Sequence, residues 1–157
     1  MAVQELFSDH KLIIFTDGGA RGNPGPAAVG AVVGQKQYGE YIGETTNNVA
    51  EYSAVIFALK KAKALLGKER AKKTRVEVNL DSELVARQLN NKYKILDEDL
   101  QPLFIQVWNL KQDFREVDFK NIVREQNKEA DRLVNQALDE KMKNPVWFNV
   151  LLDKLEE

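Results

Sequence analysis

The sequence predicts an α/β fold in which a mixed sheet is covered by helices, on three observations. An apolar run at residues 12–15 stops abruptly at Asp17 and a glycine-rich turn. Two further strand-like segments follow it across short turns. From residue 47 onward, segments of helical period alternate with segments of strand period. Hairpin-linked strands followed by helical crossovers require both antiparallel and parallel pairing in one sheet.

The elements follow in order. In "KLIIFTDGGARGNPGPAAVGAVV" (11–33), Leu12, Ile13, Ile14 and Phe15 form a buried strand that ends at Asp17. "AAVGAVVG" and "QYGEYIGETT" read as two strands of a hairpin turning at Gly34–Gln37. "NNVAEYSAVIFALKKAKALLG" then places Val55, Ala58, Leu59, Ala62, Leu65 and Leu66 at helical spacing, with Asn47 or Asn48 as its cap and Gly67 as its stop. "KERAKK" reads as a solvated loop. "TRVEVNLD" alternates Val76, Val78 and Leu80 and again ends in an aspartate. "SELVARQLNN" is a short helix, and "DEDLQPLFIQVWNLKQDF" a second one that tolerates Pro102 near its first turn. "EVDFKNIV" is a last strand. "NKEADRLVNQALDEKMK" is an amphipathic helix with Ala130, Leu133, Val134, Ala137, Leu138 and Met142 on one face, broken by Asn144 and Pro145.

Composition narrows the function. At 157 residues the chain is one domain with room for a real core. No apolar stretch approaches the roughly 20 residues that span a bilayer, and the start, "MAVQELFSDH", lacks the pattern of a signal peptide. There is no cysteine, which excludes thiolate chemistry and fits a cytoplasmic protein. The single histidine, His10, reads as a surface residue and excludes His-rich metal sites. The net charge of −1 means that a polyanion must be held by a local cluster or through metal ions rather than by global attraction.

Four carboxylates stand out. Asp17 and Asp81 each end an apolar strand, and parallel neighbours would bring them together at the sheet edge where open α/β sheets place their sites. Glu51 lies in the first turn of the long helix. Asp131 stands three and seven residues before Val134 and Leu138, continuing the buried stripe of the last helix. Each also has a structural reading: a turn for Asp17, a capping box with Asn48 for Glu51, a helix cap for Asp81, a surface ion pair for Asp131. Together they suit hard divalent cations, since converging carboxylates repel and Mg²⁺ takes oxygen ligands without histidine. Two such ions could activate a water and stabilise the leaving oxygen of a phosphodiester displacement.

The blocks "TDGGARGNPGPAAVGAVV", "TTNNVAEYSAVIFAL", "VNLDSELV" and "VREQNKEADRLVNQAL" come in an order that resembles type 1 ribonuclease H, in its bacterial and archaeal short form. The resemblance covers roughly residues 11–142. It implies a ribonuclease H-like fold: five strands in a mixed sheet, the first three antiparallel, flanked by helices. It also implies Mg²⁺- or Mn²⁺-dependent endonucleolytic cleavage of the RNA strand of RNA/DNA hybrids, leaving 3′-hydroxyl and 5′-phosphate ends. The catalytic, metal-holding acids fall on Asp17, Glu51, Asp81 and Asp131. Substrate contacts fall on Gly18, Gly19, Asn23, Thr46, Asn47 and Asn48, where a turn and a helix cap are the structural readings. The glycines beside Asp17 would let the substrate backbone approach.

The chain departs from relatives in three places. No histidine occurs in "NIVREQNKEAD"; Asn121 is the nearest match by register, and Arg124 or Glu125 stands as a substitute or as a loop ion-pair residue. Glu83 stands where some relatives have an amide. A long basic insertion is missing, leaving Lys92 and Lys94 around Tyr93. With no hybrid-binding domain before the core, weak binding is expected. The domain is expected to span residues 1–143. The apolar tail 144–157, with Trp147, Phe148, Val150, Leu151, Leu152 and Leu155, is expected to dock on it, with a protein partner or self-association as the other reading. Two rivals remain to the enzyme: a non-catalytic hybrid- or RNA-binding module on the same fold, and a nucleotide-phosphate loop in "GGARGNPG". The latter lacks the Gly-Lys-Ser/Thr ending.

Overall fold

The computed structural model describes residues 10–143 and 154–155. The expected tail contacts of Trp147, Phe148, Val150, Leu151 and Leu152 lie outside the described residues. Strands β1 (Lys11–Ala20), β2 (Gly25–Val33), β3 (Lys36–Thr45), β4 (Arg75–Leu80) and β5 (Glu116–Asn121) form one sheet in the order β3-β2-β1-β4-β5. The first three pair antiparallel, and β4 joins β1, and β5 joins β4, in parallel. Helices α1 (Asn47–Lys73), α2 (Glu83–Leu89), α3 (Gln101–Lys111) and α4 (Lys128–Lys143) complete the domain. The expected mixed sheet is the one found.

The core lies between the sheet and α1, α2 and α3. Ile14, Val76, Val78 and Leu80 from the strands meet Tyr52, Val55, Leu59, Val85 and Val107 from the helices, all at most 1% exposed. Complete burial of such side chains contributes about 1.5–3 kcal/mol each. On the other face, α4 packs Val134 and Leu138 on Ala28, with Tyr41 and Ala137 at the margin. That approach is close because β2 carries Gly30, where a Cβ would stand 3.1 Å from the Val134 nitrogen and overlap the Ala130 carbonyl. The absent side chain thus lets α4, and with it Asp131, sit on the sheet.

Several expectations are corrected. The hairpin turn is the tighter Gly34–Gln35, since Val33 already pairs with Lys36 and Gly34 takes φ 61°. "KERAKK" is helical, not a loop. Gly67 leaves helical geometry (φ 78°, ψ 162°) for one residue, after which α1 resumes to Lys73. Ala71 is fully buried and anchors this last stretch, and Arg70, Lys72 and Lys73 suit a helix C-terminus. Leu65 is 40% and Met142 53% exposed rather than on buried faces. The N-cap of α1 is Thr46, whose Oγ1 accepts from Val49 N–H at 3.3 Å, so neither Asn47 nor Asn48 caps it.

Candidate metal centre and nucleic-acid cleft

The parallel register pairs Thr16 of β1 with Leu80 of β4, so Asp17 and Asp81 follow side by side; β1 does not end at Asp17 as expected but runs on to Ala20, because β2 continues to pair with it. Asp17 still pairs with Gly30 of β2, which holds its backbone rigid. The next residue, Gly18, lies under the first turns of α1. A Cβ there would overlap the Ala50 carbonyl and stand 2.6 Å from the Glu51 nitrogen. The lack of a side chain at Gly18 is what brings Glu51 down onto the sheet edge. This packing by itself requires glycine at position 18, whereas a Cβ on Gly19 would meet only Val134 Cγ1 at an ordinary 3.7 Å.

The result is a group of three carboxylates, Asp17, Glu51 and Asp81, whose ligand oxygens all lie within 4.8 Å of one another. Asp131 is outside this group but close enough to Asp17 to hydrogen-bond and repel it. Its side chain is exposed, which corrects the expectation that it continues the buried stripe. The stripe does reach it, but at this end α4 overhangs an open cleft instead of the core, and Val134 and Leu138 line the same cleft. The local structural readings of the acids are also settled. Ser82, not Asp81, caps α2, its Oγ accepting from Val85 N–H at 3.3 Å. With Thr46 as the cap of α1, Glu51 is two residues too far along to complete a capping box.

Electrostatics mark the group as cation-seeking. Burial first, then the charges of Asp81 and Asp131, push Asp17 up to about 7. Burial and then the charges of Asp17 and Asp81 push Glu51 well above the usual carboxylate range. Both carboxyls are thus biased toward their protonated forms while no cation is bound. Glu51 Oε2 is buried with no hydrogen-bond partner, a costly state for a polar atom unless a ligand completes it. An all-oxygen, partly buried acidic group fits Mg²⁺-class ions.

The carboxylates floor a cleft of about 420 Å³ whose walls include Asn47, Asn48, Ser82, Arg21 and Arg124. Asn23 and Asn47 brace the loop and helix start at this edge. Asn23 Oδ1 accepts from Asn47 N–H at 3.1 Å, and Asn47 Oδ1 accepts from Ala20 N–H at 2.8 Å. Each acceptor oxygen is spent internally, which leaves the amide NH₂ groups as donors toward a ligand. Of the residues weighed against the missing histidine, Asn121 ends β5 and donates to the Leu80 carbonyl at 3.2 Å, away from the cleft. Arg124 lines the cleft, and Glu125 lines a separate groove under Phe15 and Val32. Glu83 is paired with Arg87 at 2.9 Å, which offsets its charge beside the cleft. Arg87 in turn lies 5.2 Å over the ring of half-exposed Tyr93.

The sequence reading missed two contributors. Arg21, 2.7 Å from Asp139, straps the loop after β1 to α4. Asn127 is 1% exposed and bonds to both the β1 backbone and Asp81. A lone arginine in a glycine-rich turn and an asparagine before a helix carry no local signal of either task.

The comparisons agree with this geometry. Residues 15–137 match the family described as "Reverse transcriptase-like". The RNase H1 isolated from compost by a metagenomic approach, solved in complex with RNA/DNA hybrid, is 42% identical, with 83% of this chain and 99% of that one covered at a TM-score of 0.79. RNase H1 of the halophilic archaeon Halobacterium salinarum is 38% identical, covering 83% and 98% at a TM-score of 0.74. A bifunctional protein of Mycobacterium tuberculosis is 40% identical over 82% of this chain, which spans only 36% of that relative's length. With separate blocks from β1 to α4 aligned and the fold shared, the chain belongs to the type 1 ribonuclease H family, a group of metal-dependent hydrolases.

Proposed function

We propose that this chain is an endoribonuclease that hydrolyses the RNA strand of RNA/DNA hybrids, leaving 3′-hydroxyl and 5′-phosphate ends. The observation that carries it is the meeting of Asp17, Glu51 and Asp81 within 4.8 Å around a buried, unpartnered Glu51 oxygen. Two divalent ions, Mg²⁺ or Mn²⁺, would be held by these three acids and Asp131, and would supply a nucleophilic water and charge stabilisation of the leaving oxygen. The protein's own part is positional. β1 holds Asp17 within the sheet, the end of β4 places Asp81 beside it, and Gly18 lets α1 deliver Glu51. A bound cation would favour the ionised forms of Glu51 and Asp17, which burial and their neighbours' charges otherwise oppose.

Recognition of the hybrid is assigned to Gly18, Gly19, Asn23, Thr46, Asn47 and Asn48. The amide donors of Asn23, Asn47 and Asn48 suit 2′-hydroxyl and base-edge oxygens in the wide minor groove of an A-like duplex. Arg124, a cation at the cleft wall with no ion-pair partner among the described residues, supplies a phosphate contact. A cytoplasmic location belongs to the proposal, on the ground that hybrids arise where nucleic acid is copied. So does the assignment of residues 1–143 as the catalytic unit with the tail 144–157 docked on it through side chains other than Leu155, which is 81% exposed and so does not dock as expected.

The test is cleavage of an end-labelled RNA presented as RNA/DNA, RNA/RNA or single strand, with Mg²⁺, Mn²⁺ or chelator, alongside Asp17→Asn. Metal-dependent cutting of the hybrid alone, lost in Asp17→Asn, is the expected result. Tight hybrid binding without cutting under either metal would make the chain a binding module instead.

A further inference from the structure

We propose that Asn127 is a positioning residue that sets the orientation of Asp81 for metal binding and locks it to the elements carrying Asp17 and Asp131. The inference rests on the metal-centre reading above.

The side chain is almost completely buried, and its Nδ2 donates twice: to the Thr16 carbonyl at 2.8 Å and to Asp81 Oδ2 at 3.0 Å. Both partners are pure acceptors, so the amide can stand only one way round. Turned over, its oxygen would face a carbonyl and a carboxylate. The backbone of the same residue extends the connection. Its carbonyl accepts from Asp131 N–H at 3.2 Å, and its N–H donates to the Arg124 carbonyl at 2.9 Å. One residue therefore touches Asp81 itself, the residue before Asp17, the backbone of Asp131 and the turn that carries Arg124.

Without it, Asp81 would stand at the end of β4 with no other hydrogen bond to its carboxylate among the described residues. The bond to Oδ2 engages one carboxylate oxygen and leaves the other to meet an ion. Asn127 Oδ1 is buried without a partner, so the residue is kept here for its donors and not for its acceptor. A donor behind a metal-binding carboxylate fixes its rotamer before the ion arrives, and loss of such outer partners lowers metal affinity about 10–100-fold.

The test is calorimetric titration of the metal-free protein with Mg²⁺, for the wild type, Asn127→Ala, Asn127→Ser and Asn127→Asp. Each variant also has its metal-free melting temperature, kcat and KM measured. The expected result is a Mg²⁺ Kd raised about 10–100-fold in Asn127→Ala and at least as much in Asn127→Asp, which keeps the shape and removes the donors. Asn127→Ser, with a shorter donor, should fall between. Activity should recover as Mg²⁺ is raised, with KM for the hybrid unchanged. Folded variants that bind Mg²⁺ as the wild type does would overturn the proposal, leaving Asn127 a packing residue. Failure of both the Ala and Ser variants to fold would overturn it as well, because the residue would then act on folding and not on the ligand. No Mg²⁺ binding by the wild type, or undiminished binding by Asp17→Asn, would instead refute the metal centre itself.

Discussion

Replacing Asp17 by asparagine should remove the catalytic centre and yet stabilise the metal-free protein. Asp17 is 7% exposed, and its folded pKa of about 7 stands well above the unfolded value of 3.8. A carboxyl raised in this way prefers its proton in the folded state. Its stability contribution is therefore intact below about pH 4 and is lost as the pH climbs through 7. A rise of about three pH units corresponds to at most about 4 kcal/mol at neutral pH. The neutral amide of Asp17→Asn would escape this loss while keeping the shape of the side chain. Relief of even half of it is about 2 kcal/mol, or roughly 4–8 °C in melting temperature for a chain of this size. The assay is thermal melting from pH 4.5 to 7.5 in chelator and in Mg²⁺. In chelator, both should lose stability toward pH 7, because burial also raises Glu51, but Asp17→Asn should lose less than wild type. In Mg²⁺ the order should reverse, because only wild type gains the binding energy. A metal-free Asp17→Asn protein that melts below wild type at pH 7 would refute the reasoning, since it would show that Asp17 stabilises the fold instead of straining it.

Four further outcomes are expected. Gly18→Ala drives a methyl into the Ala50 carbonyl and should cost on the order of 2–3 kcal/mol of stability by overpacking, with a fall in Mg²⁺ affinity as Glu51 is displaced; calorimetry of the variant reads both. Glu77, lowered to about 2 chiefly by its hydrogen bond to Lys120, contributes stability above about pH 4.5 that is lost as the pH falls toward 2. This is the opposite sign to Asp17, so the metal-free protein should be most stable near pH 4–5 in a melting series, and Glu77→Gln should flatten the acid limb. Tyr52→Phe leaves Gln88 Oε1 without the hydroxyl that donates to it at 2.7 Å inside the core, for a loss of about 1–3 kcal/mol in urea unfolding and little change in Mg²⁺ affinity. Arg124→Ala should lower kcat/KM on a hybrid about 10-fold and make binding less sensitive to salt, with Arg124→Lys retaining part of it.

The sequence by itself determined the parts of this protein that depend on neighbours in the chain. Apolar runs that stop before Asp17 and Asp81 mark β1 and β4, although β1 itself continues through the buried Asp17 to Ala20 along β2. The 3.6-residue spacing of Val55, Ala58, Leu59 and Ala62 marks α1, and the four separated blocks together identify the family. Tertiary structure decided what those blocks do to one another. Asp17 and Asp81 adjoin only because β1 and β4 pair in parallel although β2, β3 and α1 intervene in the chain, a register set by packing of both strands on α1. Glu51 reads from the sequence both as a capping residue and as a ligand; Thr46 takes the capping place, and Gly18 lets the helix bring Glu51 down to the other acids. "KERAKK" is charged enough for a loop, yet burial of Ala71 in the core holds it helical beyond Gly67. Asp131 sits on the helical stripe by periodicity but faces water, because α4 overhangs the open cleft there. The role of Asn127 cannot be read locally, since its two acceptors, on Thr16 and Asp81, lie far from it in the chain. Periodicity reports which way a side chain points within its own element; whether it meets core, cleft or ion depends on long-range contacts whose energy no local pattern carries.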